Sequence, residues 1–214
     1  MDIYLDKVSK LNFKIIKMGL SINYSGSFKN EASLEVLIEE VKDIAEIYEW
    51  KYTIANTRFP KNTFDKLEYD GKLYGISFTP PNSETISLTF LSNGKMCSGA
   101  RLKFFSNSDN ENDNQNLYML CSKTQYAGST NHKIIIHLLK YLSEKYFQDF
   151  QLTDEGAYWE TGDEELLEKN FKTYNDLLDG VVHSVKNYPI NTTESFTEYF
   201  ERIMKMIDEK RNRK

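Results

Sequence analysis

Residues 74–94 read YGISFTPPNSETISLTFLSNG, and this stretch decides the fold class. Tyr74, Ile76 and Phe78 alternate with Gly75, Ser77 and Thr79, and beyond Pro80-Pro81-Asn82-Ser83 the alternation resumes at Ile86, Leu88 and Phe90. A period of two puts successive side chains on opposite faces of a strand, so each segment carries one apolar face and reads as half-buried. The prolines cannot donate to a sheet ladder and therefore fall between the strands. Asn93-Gly94 accepts the positive φ angles of a type I′ hairpin turn, which predicts a returning strand through Cys97 to Phe105.

Outward from this block the period changes. Leu34, Leu37, Ile38, Val41, Ile44, Ala45 and Tyr48 form a helical stripe with Ser33 as its cap, and Leu5, Val8, Leu11, Ile15 and Met18 predict an earlier helix ending near Gly19. On the C-terminal side, Leu117–Ser122 reads as a strand, and Phe150-Gln151-Leu152 as another short one. Three helices complete the chain: one after Gly128-Ser129-Thr130 with Ile134, Ile135, Leu138, Leu139, Tyr141 and Leu142 inward, one from Asp163 closed before Pro189, and one over about 193–211 behind Thr192 and Thr193. The last two are expected to pack as a hairpin. Helices, then strands, then helices indicate segregated α+β: an antiparallel sheet of about four to five strands over roughly 50–126, packed by helices from the N-terminal segment and by the C-terminal three.

At 214 residues, 40% hydrophobic and 28% charged, the chain has the composition of one globular domain spanning 1–214. The run SNSDNENDNQN at 106–116 has no apolar anchor and reads as a mobile polar loop, and 209–214 as a basic tail. An EF-hand in that run is excluded, because its central glycine and terminal bidentate glutamate are missing. Cys97 and Cys121 are too few for a disulfide scaffold, lack CxxC spacing, and are expected as small buried thiols. No stretch is long and apolar enough to span a membrane, and Met1–Lys7 is charged rather than signal-like, so a cytoplasmic location is expected. A net charge of −5 disfavours nucleic acid as a partner.

The charge is uneven. Residues 149–179 hold ten acids against Lys169 and Lys172, a local balance of −8 that leaves +3 elsewhere. At its centre, Thr153–Glu164 packs Asp154, Glu155, Glu160, Asp163 and Glu164 together with Tyr158, Trp159, Gly156 and Gly162. Clustered carboxylates resist simultaneous ionisation unless they bind a cation, share a proton or meet a basic group. The bland account is a capping box of Thr161 and Glu164, with acids in a first helical turn and aromatics anchoring the loop. That account leaves Asp154-Glu155-Gly156 unexplained. His132, at a helix start after a Gly/Ser/Thr loop, is the partner expected for these acids, whereas His137 reads as a core histidine on the apolar stripe.

No GxSxG elbow, HExxH helix or phosphate-binding glycine loop occurs, and no cofactor is evident. The expected function is therefore a non-catalytic interaction or regulatory module that meets a basic protein through the 149–179 surface. The alternative is a metal-assisted or acid/base hydrolase using the 154–163 carboxylates with His132. Candidate binding residues are Asp154, Glu155, Tyr158, Trp159, Glu160, Asp163 and His132.

Overall fold

The hairpin block forms as its alternation predicts. In the computed structural model, which describes residues 19–106, 111–191 and 193–211, β3 (Tyr74–Thr79) and β4 (Ile86–Phe90) pair antiparallel with Ile76 opposite Leu88. Strand β2 (Lys51–Ile54) joins the other edge of β3. The Asn93-Gly94 turn is closed by Leu91 N–H donating to Lys95 O at 2.9 Å, with Gly94 at φ 85°. A Cβ there would lie 2.7 Å from the Phe64 ring, so both backbone and packing require glycine.

The return strand is shorter than expected. After a single bridge between Phe90 and Met96, Ser98 caps helix α2 (Gly99–Phe105) by accepting from Arg101 N–H at 3.3 Å. A side-chain cap thus ends the strand and starts a helix within two residues. The run expected as a loop continues, from its described part, as helix α3 (Glu111–Tyr118). Its end is pinned because Leu117 is buried with Leu91 and Cys97, against Leu102, Phe105 and Tyr118. Tertiary burial of one leucine outweighs the weak helix propensity of the Asp/Asn run.

A second sheet replaces part of the single sheet expected. It is ordered β5-β1-β6, with β1 (Ser21–Phe28) central, β5 (Leu120–Lys123) on one side and β6 (Phe147–Asp154) on the other, all antiparallel. The alternation in β1 is broken by a register shift between Ser25 and Ser27, which hides the strand from a period-two reading. The two sheets are stitched where Tyr24 Oη donates to Ser87 O at 3.1 Å and accepts from Ser87 N–H at 2.9 Å. The hairpin turn joins in through Phe28 N–H to Gly94 O at 2.8 Å. Phe28, Phe90 and Phe147 meet in the core between them.

Helix α1 (Leu34–Ile47) buries Leu34, Leu37, Ile38, Val41 and Ala45 of its stripe, while Ile44 is half-buried and Tyr48, past its end, is exposed. Its approach is capped by Asn30, which accepts from Ala32 N–H through a 3-10 turn, rather than by Ser33. Helix α4 (Gly128–Tyr146) buries His132, Ile135, Ile136, Leu138, Leu139, Leu142 and Tyr146, while Tyr141 is exposed. Cys97 is buried, its thiol pushed up to about 12 by desolvation, but Cys121 is exposed on β5.

The chain divides into two compact units, Leu20–Leu167 and a second to which the residues from Glu168 onward belong. In the second unit, helix α7 (Phe196–Arg211) packs Tyr199, Ile203 and Ile207 against Leu177 and Val181 of helix α6 (Glu164–Asn187), the expected helical hairpin. Ser195, rather than Thr193, forms its capping box, while Thr192 lies outside the described residues: the Ser195 Oγ accepts from Glu198 N–H at 3.3 Å and Glu198 Oε2 accepts from Ser195 N–H at 2.9 Å. The helix extends to Arg211, into the segment read as a basic tail. Residues 212–214 and the N-terminal helix expected over 5–18 lie outside the described residues. No helix among the described residues is long and apolar enough to cross a membrane.

Candidate functional site

The carboxylate-rich segment leaves the sheet at the end of β6. Ile22 of β1 pairs with both Ser122 of β5 and Asp154 of β6, so the start of β1 is a hub between Thr124, which follows β5, and Asp154. Helix α4 starts just after Thr124 and turns His132 inward between them. Thr124 Oγ1 lies 2.7 Å from His132 Nδ1, and His132 Nε2 lies 3.0 Å from Asp154 Oδ2. The three residues are sealed: Thr124 and His132 are 0% exposed and Asp154 5%.

Asp154 ties the segment to itself. Its Oδ1 accepts from Gly156 N–H at 2.7 Å, and its Oδ2 from Tyr158 N–H at 2.8 Å and Trp159 N–H at 3.1 Å. Ala157 adopts the left-handed conformation, φ 63°, and this swings the next two amides back toward the carboxylate before the short helix α5 (Tyr158–Thr161). Burial alone pushes the Asp154 carboxyl up, yet the hydrogen bond and field of His132, with the Trp159 and Gly156 amides, outweigh it and hold the group below the usual carboxylate range. An ionised carboxylate only accepts, so Nε2–H of His132 donates to it and the neutral ring's Nδ1 accepts from the Thr124 hydroxyl. In the imidazolium form Nδ1–H donates instead, and the hydroxyl donates to Leu20 O, 3.4 Å away. The chain of bonds therefore closes in either form.

A carboxylate, an imidazole and a hydroxyl in series have the connectivity of a nucleophilic triad. Here the hydroxyl is buried, facing the backbone of Leu20. Gly156 completes the seal, since a Cβ on it would lie 2.8 Å from Leu167 Cδ1 and 3.0 Å from both Asp154 Oδ1 and His132 Nε2. This close approach is the reason for a glycine in the Asp154-Glu155-Gly156 trio.

The other acids are each turned to a donor. Glu155 Oε2 accepts from Ser21 N–H at 3.0 Å while Glu155 N–H donates to Ser21 O at 3.1 Å. Glu160 Oε1 accepts from Asp154 N–H at 3.0 Å. The cap of α6 is Asp163, accepting from Leu166 N–H at 3.0 Å, not Thr161, whose hydroxyl donates to Ala157 O. Glu164, instead of reaching back across a capping box, pairs with Lys133 Nζ at 2.6 Å. Local amides and one lysine thus resolve the crowding that could have signalled a metal, and no group of three or more His, Cys, Asp or Glu among the described residues is placed to hold one.

His132 meets an acid of the segment as expected, though inside the core, and His137 is not the core histidine expected. His132 is the satisfied core residue, while His137 stands on the exposed face of α4, with Nε2 3.1 Å from the Tyr158 hydroxyl. Tyr158 is buried, and Trp159 is half-buried with its ring edge-on to Phe150 at 5.9 Å. Beside them a cleft of about 200 Å³ opens, lined among others by His137, Lys140, Tyr158, Trp159, Glu160 and Gly162. The structure thus unites His132 with Asp154 in the interior and places Tyr158, Trp159 and Glu160 around a separate opening. Thr124, His137 and Lys140 join the site unannounced. Only the i, i+3 spacing of His137 and Lys140 was visible in the sequence. No family model, curated protein or solved structure matches this chain.

Proposed function

We propose that this protein is a cytoplasmic, non-catalytic interaction module that presents the start of α6 to a basic protein partner. The observation that carries the reading is the Asp154 knot, which fixes the acidic segment through four inward hydrogen bonds and leaves Glu160, Asp163, Glu164 and Glu165 exposed. A rigid carrier with like charges on its outer side suits electrostatic recognition, because little ordering entropy is lost on docking and the field steers encounter. The buried relay favours binding over chemistry, since substrate has no route to its hydroxyl. Within the 149–179 surface this reading gives Asp154 and Glu155 to the fold and rests recognition on the acids around Glu165.

The test is a paired capture from cell extract with the native chain and the Glu164→Lys/Glu165→Lys double variant, followed by association kinetics of the captured protein at several salt concentrations. Support is a basic protein lost from the variant, with association that slows steeply as salt rises. Equal capture by both chains, or association insensitive to salt, refutes the reading. The hydrolase alternative draws on the Thr124–His132–Asp154 relay alone. It requires hydrolytic turnover that Thr124→Val abolishes while the fold persists.

A further inference from the structure

The exposed face of α4 carries Lys133, His137 and Lys140 at i, i+4 and i+7, which places them in a row. Lys133 is neutralised by Glu164 at 2.6 Å, and Lys145, further along the helix, by Glu40 at 3.0 Å. Lys140 has no carboxylate partner among the described residues, although Glu160 lines the same cleft. Glu160 instead accepts from the amide of Asp154 through Oε1. His137, whose Nε2 meets the Tyr158 hydroxyl at 3.1 Å, is a second polar residue lining the cleft. Trp159, its ring edge-on to Phe150, lines the same cleft. A cation, an imidazole and an indole around one small opening form a recognition set that adjoins the acidic surface at Glu160.

We propose that this cleft binds a small monocarboxylate carrying an apolar or aromatic group, with the carboxylate on Lys140 and His137 and the body against Trp159. At about 200 Å³ the opening is smaller than a drug-sized pocket, which limits the ligand to roughly ten to fifteen non-hydrogen atoms. One lysine suits a single negative charge. Glu160 in the wall and Glu164 nearby disfavour a dianion such as phosphate, because like charges raise the cost of the second charge. The same chemistry is offered by a free organic acid and by the C-terminal residue of a peptide.

The experiment is amide and indole NMR of the full chain titrated with indole-3-acetate, indole-3-acetamide, inorganic phosphate, and a short peptide ending in tryptophan with a free or amidated terminus. The expected result is saturable shifts of the Trp159 indole and the Gly162 amide with indole-3-acetate, with a dissociation constant on the order of 1 mM or tighter. The acetamide and phosphate should bind at least about tenfold more weakly, and Lys140→Met should weaken the acid by about tenfold, since a charge-assisted contact is lost. Lys140 is exposed, so the variant should keep the native melting temperature. A free-terminus peptide that outbinds the acid and loses binding on amidation identifies a chain terminus as the source, and binding of the acid alone identifies a free metabolite. The proposal is overturned by absence of saturable shifts at these two groups up to about 10 mM, by equal binding of acid and amide, by phosphate binding as well as the acid, or by a Lys140→Met variant that binds as the native chain does.

Discussion

Replacing Asp154 by alanine should be among the most damaging single changes to the larger unit. The carboxylate accepts from His132 Nε2 at 3.0 Å, Gly156 N–H at 2.7 Å, Tyr158 N–H at 2.8 Å and Trp159 N–H at 3.1 Å, and its side chain has no exposure. Alanine leaves three amides and an imidazole without their acceptor in a place that water does not reach. Each buried orphan costs about 1–3 kcal/mol, and relaxation spares part of the sum over the four. The expected loss is therefore about 4 kcal/mol. At a urea slope of about 2–3 kcal/mol per M, the midpoint falls by about 1–2 M with the slope unchanged. Thr153→Ala, one residue earlier at an exposed position, is the control and should shift stability by less than about 0.5 kcal/mol. Circular dichroism during urea unfolding reads both. If Asp154→Ala costs under about 1 kcal/mol, the knot is not holding the segment, and the argument for a rigid acidic carrier fails with it.

Three further outcomes follow from the same structure. Gly156→Ala should cost about 1–3 kcal/mol in the same unfolding assay, because the new methyl meets Leu167, Asp154 and His132 at 2.8 to 3.0 Å in a closed interior. Stability should depend on pH at both ends. Asp154 is held below its ordinary range, so its contribution is complete above about pH 4 and is lost as pH falls through the folded value. Tyr24 is pushed by burial to about 12, so its contribution is complete below the unfolded value near 10 and is lost between the two; Tyr24→Phe should make the loss of stability over that interval shallower in the same unfolding assay. In the second unit, Ser195→Ala removes one half of the α7 capping box and should cost about 1 kcal/mol, read as reduced protection of the Glu198 amide from hydrogen exchange.

Local pattern carried the reading wherever the next few residues were enough to satisfy the backbone. The β3–β4 hairpin has its alternation, its prolines and its Asn93-Gly94 turn in one stretch, and the stripes of α1 and α7 declare a buried face without reference to a partner. Pattern failed where a distant contact decided. Helix α3 forms in a polar run because Leu117 finds Leu91 and Cys97. Strand β1 is masked by its bulge and stands only because β5 and β6 flank it.

The candidate site divides the same way. Residues 149–179 announced their charge, and 154–163 their crowding, because composition is a property of the chain alone. Which histidine is buried is a matter of helix phase: α4 could have turned either side of its apolar stripe to the sheet, and the side chosen puts His132 with Ile135, Ile136, Leu139 and Leu142 and leaves His137 in the open. That choice belongs to the sheet it packs on, whose strands come from opposite ends of the larger unit. The sequence by itself determined an α+β chain with a hairpin, amphipathic helices and an acidic segment, since these follow from spacings of two to four residues. Only the tertiary structure decided that Asp154, His132 and Thr124 close into one buried network while Lys140 and Trp159 share an opening, since those meetings depend on β1 pairing with strands about a hundred residues away or more.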